Sequence, residues 1–289
     1  MTACKIVTKT PGLINGHTEL IAHIGFPTHS FKAPMIYNPW FDEAGVNARV
    51  MPMGCKPDDF AALLKSLFTL TNMRGALITM PHKVATLALL DEVSPAAAIA
   101  GACNAVRRSP SGQLQGDMFD GEGFVRGVLR KGVVLQGASA LVVGCGGVGS
   151  AIAASLAAAG VARLGLFDVS SASANALQGR LIAHYPRLQV DAGSNDPAGF
   201  DVVVNGTPLG MDDGDAMPVD VSRIAPTTFV GEVVMKKEMT AFLAAAKARG
   251  CPVQIGTDML FEQIPAYLEF FGYPSTTPEV LRAVATVAY

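Results

Sequence analysis

Apolar residues in this chain fall into short unbroken runs separated by longer segments in which they recur every three or four positions. Leu20–Phe26, Ala48–Met53 and Ala76–Met80 are runs of the first kind and predict strands; the first ends in the Gly25-Phe26-Pro27 turn and the third is stopped by Pro81. Pro57–Leu70 is of the second kind. It places Phe60, Leu63, Leu64, Leu67 and Phe68 on one helical face, with Asp58 and Asp59 in its first turn. A helix is expected to follow Pro81 through Leu90, and Gln113–Gly116 reads as a strand or turn after the Ser109-Pro110-Ser111-Gly112 loop. Gly121–Lys131 predicts a connecting helix, after which the alternation restarts. Strands are expected at Ala140–Val143, Arg163–Phe167, Asp201–Asn205 and Phe229–Val234, with helices at Val148–Ala159, Ala172–Tyr185, Glu238–Arg249, Met259–Tyr267 and Pro278–Ala288. Such alternation belongs to the α/β class and to open, largely parallel sheets covered by helices. Its two blocks mark two open α/β domains, with a boundary in 120–137.

Length agrees: 289 residues suit two domains of about 100–150 residues each. Half the residues are hydrophobic, the net charge is −2 and no run of one sign occurs, so nothing marks a nucleic-acid or anionic-membrane surface. No charged residue falls between Lys131 and Arg163, a span long enough to suggest a membrane helix. Gly144, Gly146, Gly147 and Gly149 interrupt its middle, and a strand, a glycine turn and an alanine-rich helix account for it better. Cys4, Cys55, Cys103, Cys145 and Cys251 show neither disulfide nor zinc spacing, so reduced thiols in a cytoplasmic protein are expected. His17, His23, His29, His82 and His184 lack paired ligand spacing, so no metal is expected, and they read as surface or hydrogen-bonded residues.

Gly144-Cys145-Gly146-Gly147-Val148-Gly149 fits G-x-G-x-x-G between an apolar strand and an apolar helix. Gly144 permits the tight turn, Gly146 lets backbone approach a pyrophosphate, and Gly149 allows close helix–strand packing. The helix N-terminus, from Gly147 and Val148, then offers free N–H groups to the phosphates. Asp168 ends the next strand, 24 residues after Gly144, near the roughly 20-residue spacing at which an acid accepts hydrogen bonds from the adenosine ribose. A carboxylate there repels a 2′-phosphate, so NAD is favoured over NADP. A structural glycine turn with a solvated aspartate is the plainer alternative.

Further segments carry a resemblance. Gly75-Ala-Leu-Ile-Thr79-Met-Pro81-His-Lys83 is similar to G-x-N-V-T-x-P-x-K of the shikimate/quinate dehydrogenase family. Gly101-Ala-Cys-Asn104-Ala-Val106 resembles its G-A-V-N-T-V, and Gly116-Asp-Met-Phe119-Asp120-Gly121-Glu-Gly123 its G-D-N-T-D-G-x-G. Asn205-Gly-Thr207-Pro208-Leu-Gly-Met211 resembles N-A-T-P-x-G-M, and Gly256-Thr-Asp-Met259-Leu-Phe-Glu-Gln263 resembles G-x-x-M-L-x-x-Q. The resemblance implies a substrate-binding domain of residues 1–120 plus 257–289 and a Rossmann domain of 121–256, with the chemistry in the cleft between them. It implies Lys83 and Asp120 as the catalytic pair, an ammonium and a carboxylate sharing the hydroxyl proton while the nicotinamide takes the hydride. Without it, Lys83 reads as a surface lysine at a helix start and Asp120 as a helix N-cap. It also implies Thr79, Asn104 and Gln263 on the substrate, and Asn205, Thr207, Pro208 and Gly256 beside the cofactor.

The departures cluster. The family's G-x-P-x-x-H-S-x-S-P supplies two serines to a substrate carboxylate, and here those positions hold Phe31 and Ala33, with Ser30 one place early. The Asn of N-V-T is Leu77, the Asn and Thr before the catalytic Asp are Met118 and Phe119, and the late Tyr is Met235. Lys32 or Ser30 is left to replace the clamp, with Phe119 and Met235 as apolar substrate contacts. The expected substrate is a cyclic hydroxy acid or polyol, bulkier or less polar than shikimate. The competing reading is a catalytically weak NAD-binding regulator or sensor, against which the retained Lys83 and Asp120 speak; another Rossmann dehydrogenase is a weaker third. The oligomeric state is open between monomer and homodimer.

Overall fold

The computed structural model describes residues 13–29 and 31–287. Strands β1 (Glu19–Gly25), β2 (Ala48–Gly54), β3 (Met73–Ile78), β4 (Glu92–Val93), β5 (Ala105–Arg108) and β6 (Leu114–Asp117) form a first sheet of order β2-β1-β3-β5-β6-β4. Helices α1 (Pro34–Ala44), α2 (Pro57–Leu67), α3 (Lys83–Thr86) and α4 (Pro95–Ala100) connect them. The apolar runs are unbroken because both faces are covered. Ile21, Val50 and Leu77 pack with α1 on one side, whereas Ala22, Ile24, Ala76 and Ile78 pack with Phe60 and Leu64 of α2 on the other.

This sheet is mixed, not largely parallel. β1 runs parallel to β2 and β3, but β5 is antiparallel to both β3 and β6. The helix expected through Leu90 closes after Thr86 and continues only as a 3-10 turn, Leu87–Leu89. Two prolines conceal helix α1, with Pro34 at its start and Pro39 inside. Proline has no N–H to give the carbonyl four residues back, and the Met35 carbonyl accepts the Thr286 N–H instead, at 3.0 Å. Pro52 is tolerated because β2 is an edge strand.

Helix α5 (Asp120–Arg130) leads into the second sheet of β7 (Ser139–Val143), β8 (Arg163–Phe167), β9 (Gln189–Ala192), β10 (Val202–Asn205), β11 (Phe229–Glu232) and β12 (Val253–Gln254). All six are parallel, in the order β12-β11-β10-β7-β8-β9. That is the doubly wound arrangement, whose order reverses between β7 and β10 and opens a crevice there. Helices α6 (Gly147–Ala158), α7 (Ser171–His184) and α8 (Ala241–Ala248) cover it, and α9 (Gly256–Phe271) and α10 (Pro278–Val284) close the chain.

α9 belongs to the first core: Leu260, Phe261, Ile264 and Leu268 pack with Ile21, Leu77 and Phe119. α5 forms the seam between lobes. A Cβ on Gly121 would overlap the Ala151 carbonyl of α6, and one on Gly123 would sit 2.6 Å from the Met259 carbonyl of α9. The side-chain-free face lets α5 lie against both. No described helix is long and apolar enough to cross a membrane, and the uncharged stretch after Lys131 folds as β7, a turn and α6.

Candidate active site

The C-terminal ends of β1 and β3 and the start of α5 meet at one edge of the first sheet. The Thr79 N–H donates to the Ile24 carbonyl at 2.9 Å, and the Lys83 carbonyl accepts the Cys103 N–H at 2.9 Å, so the segment 79–83 is pinned at both ends. The Asn104 side-chain carbonyl accepts the Phe119 N–H at 2.9 Å, which fixes the entry to α5. Lys83 and Asp120 are thereby brought together: Nζ lies 2.5 Å from Oδ2, with only 18% and 6% of the side chains exposed. Removing either partner strands the other charge with little solvent to support it.

Across the crevice, the turn after β7 has the geometry a pyrophosphate requires. Gly144 has φ +97°, and a Cβ on Gly149 would overlap the Gly144 carbonyl. Nothing lies within 4 Å of a Cβ built on Gly146, which leaves an open cradle at the N-terminus of α6. Burial, aided by Asp168, pushes the Cys145 thiol up to about 12, so this residue brings no negative charge to the cradle. Val148 is half-buried against the second core. These residues fit a dinucleotide.

Asn205 ends β10 fully buried. It donates to the Leu209 carbonyl at 2.9 Å and accepts from the Thr207 N–H at 3.1 Å and the Thr207 hydroxyl at 2.6 Å, so it shapes the loop carrying Thr207 and exposed Pro208. Gly256 opens α9 against the Val234 carbonyl, which a Cβ would overlap. Beside Asn205 in the sheet stands Glu232, fully buried, which no motif singles out. Its Oε2 accepts the Thr240 hydroxyl at 2.8 Å and its Oε1 has no partner.

Burial pushes the Glu232 carboxyl up to about 7 from the ordinary 4.5. Between these values the folded protein holds a proton that the unfolded chain has released. Stability contributed by this group is therefore present below about pH 4.5 and is lost as pH rises through about 7. His23, held down to about 4 by burial, acts in the opposite sense. In thermal melts the difference between the parent chain and Glu232→Gln is expected to change across pH 4.5 to 7; a constant difference would refute the assignment.

On the substrate side, Ser30 lies outside the described residues. Lys32 reaches from the first lobe to the second, its Nζ donating to the Met235 carbonyl at 3.4 Å. Asn104 Nδ2 and Gln263 Oε1 are buried without partners. Ala33, Leu77 and Phe119 share one apolar cluster with α9, and Met235 packs against it. Phe119 lies against Tyr267 and Phe270. Met118 points elsewhere, into the α4–α6 contact with Ala97 and Ala151.

His82 meets the hydrogen-bonded reading, whereas His23 departs from the surface one. His82 is 1% exposed, stacks on Phe60 and places Nε2 2.8 Å from the Cys55 carbonyl. His23 is 9% exposed, stacks on Phe31 with ring centroids 4.1 Å apart, and buries an unpartnered Nδ1. Strand alternation carries the signal, since position 23 must share the face of Ile21. Cys55, Cys103, Cys145 and Cys251 are buried free thiols; Cys4 lies outside the described residues.

Comparison with known proteins identifies the family. Residues 24–106 match the shikimate dehydrogenase substrate binding domain, and 131–186 match the ThiF family. The shikimate dehydrogenase (NADP(+)) of Acidiphilium cryptum is 35% identical over 94% of this chain and 98% of its own. A solved quinate dehydrogenase from Corynebacterium glutamicum, in complex with NAD, is 30% identical with TM-score 0.84 over 92% of this chain and 98% of its own. The ligand-free 5-ketofructose reductase of a Gluconobacter strain is 26% identical with TM-score 0.85 over 93% and 98%. The chain is a nicotinamide-linked oxidoreductase acting on CH–OH groups. It belongs to the shikimate/quinate dehydrogenase family.

The preference for NAD over NADP is overturned. Besides the Acidiphilium protein, relatives 30% and 35% identical carry the same NADP(+) name. The structure supplies a reason why the acid misleads. Asp168 Oδ2 accepts the Cys145 N–H at 2.7 Å and Oδ1 the Ser170 N–H at 2.8 Å. Holding the turn accounts for this carboxylate, so its presence does not by itself exclude a 2′-phosphate.

Proposed function

We propose that this chain catalyses reversible hydride transfer between the secondary alcohol of a cyclic hydroxy compound less polar than shikimate and a nicotinamide dinucleotide. NADP is the form that its curated relatives' names carry. The observation behind the reading is the Lys83–Asp120 pair at 2.5 Å, in a chain that also carries the Gly144–Gly149 turn. Residues 1–120 with 257–289 would bind substrate, and 121–256 the dinucleotide.

When bound, the nicotinamide supplies the hydride acceptor. Gly146 and the first N–H groups of α6 would hold its pyrophosphate, with Asn205 and Thr207 shaping the loop beside it. Lys83 Nζ holds the substrate oxygen and, with Asp120, takes the hydroxyl proton as the C–H bond breaks; the reverse reaction returns it. Asn104 Nδ2 and Gln263 Oε1, both buried without partners, are the groups left for substrate hydroxyls.

Phe31, Ala33, Leu77 and Met235 stand where the family holds carboxylate- and hydroxyl-binding side chains. An apolar pocket rejects an added hydroxyl by only about 10²-fold in kcat/KM, and a carboxylate, whose charge it must desolvate without a partner, by more. The 5-ketofructose reductase, whose named substrate has no carboxylate, agrees with that direction. The test measures NADP⁺ reduction with shikimate and quinate and NADPH oxidation with 5-ketofructose. Efficient turnover of a carboxylate-free compound with feeble turnover of shikimate is expected. Shikimate turned over as well as any other compound would refute the substrate reading.

A further inference from the structure

We infer that His23 is a substrate-binding residue of this site, its Nδ1 holding a ring hydroxyl in place of the side chain that Leu77 does not provide. The inference rests on the proposed alcohol–ketone chemistry and adds to it a specific ligand group. In the parallel pairing of β1 with β3, His23 is the register partner of Leu77. Paired residues of neighbouring strands project from the same face, so the two side chains stand side by side on the face that also carries Phe119 and α9. Position 77 is where the family places a hydroxyl-binding asparagine. Here the polar group has moved one strand across, from β3 to β1.

His23 has the marks of a group awaiting a partner. It is 9% exposed, and its Nδ1 is buried without a hydrogen bond. Orphaned buried polar atoms are uncommon and ask for an explanation. Phe31, itself at a former serine position, stacks on the ring at 4.1 Å and fixes its plane. The Thr79 N–H donates to the carbonyl of Ile24, the residue after His23, so the strand carrying the ring is tied to the segment that ends in Lys83. Burial, with Lys83, holds the imidazole pKa down to about 4, so at neutral pH the ring is uncharged. A neutral imidazole offers one donor and one acceptor, which suits a hydroxyl and not a carboxylate.

Kinetics of three variants test this with 5-ketofructose and NADPH, and with quinate and NADP⁺, as probes. His23→Val is expected to raise KM about tenfold for the better probe, the loss of one neutral hydrogen bond. Its kcat and NADPH affinity should change far less. His23→Asn should restore most of the loss, because an asparagine carries its terminal polar group two bonds from Cβ, where Nδ1 lies. His23→Gln, whose group reaches the Nε2 position, should not. Melting midpoints separate misfolding from lost binding, and His23→Val/Leu77→Asn, which returns the amide to β3, gives a second route to recovery. An unchanged KM in His23→Val, or equal rescue by Asn and Gln, overturns the assignment. No turnover of either probe by the parent chain overturns the function reading and this assignment with it.

Discussion

Lys83→Ala is expected to lower kcat by about 10²- to 10⁴-fold, the range typical of a lost general acid–base group, while NADPH binding measured by fluorescence persists. The reason lies in the separation of parts. Lys83 belongs to α3 on the first lobe, whereas the dinucleotide cradle is built from the turn after β7 and the N-terminus of α6. The substitution also leaves Asp120, with 6% of its side chain exposed, without its cation. Breaking such a buried pair costs about 3–5 kcal/mol, so the melting midpoint should fall as well. The Lys83→Ala/Asp120→Ala double variant discriminates between the two effects. It should recover much of the stability, because no charge is stranded, and none of the activity. Activity returning with stability would show that the pair is structural.

Gly149→Ala and Gly146→Ala should part company in a second experiment. At Gly149 the new methyl overlaps the Gly144 carbonyl, which is backbone and cannot swing aside. Overpacking of this kind costs about 1–3 kcal/mol or more, and both the melting midpoint and NADPH affinity should drop. At Gly146 nothing lies within 4 Å of the added methyl, so the fold should melt unchanged. The methyl would occupy the space into which a pyrophosphate approaches, so NADPH affinity should fall about tenfold or more, upwards of 1.4 kcal/mol. Undiminished NADPH binding in Gly146→Ala would refute the cradle.

Four of the six strands of the second sheet were legible because their signals are local; the short β9 and β12 were not expected. Strand, glycine turn and helix follow one another without interruption, and the strand expected at Arg163–Phe167 has those bounds as β8. The first sheet was less so. β5 is only four residues long and antiparallel, a pairing that apolar periodicity cannot distinguish. α1 carries Pro39, which reads as a break, and is sustained by a hydrogen bond from Thr286 at the far end of the chain. In the site, Lys83 and Asp120 were legible from their motifs, although their 2.5 Å approach depends on tertiary folding. Glu232 was not, and of His23 only the face of the strand was. A histidine inside an apolar strand and a glutamate at the end of one look unremarkable until the sheet shows what stands beside them. Asp168 was legible as a position and misleading as a determinant, since its oxygens hold backbone.

The placement of α9 bears on how the protein is made. Ile21, Leu77 and Phe119 leave the ribosome early, but their packing partners Leu260, Phe261 and Ile264 are translated more than a hundred residues later. At about 5–20 residues per second the wait is on the order of ten seconds. During that interval the doubly wound lobe, whose core is built mainly from its own strands and helices, is translated in turn, its last strand β12 emerging just ahead of α9. The N-terminal sheet meanwhile presents an uncovered apolar face to chaperones and to neighbouring nascent chains. The lobe whose synthesis starts first thus has its core closed only when α9, near the end of the chain, arrives.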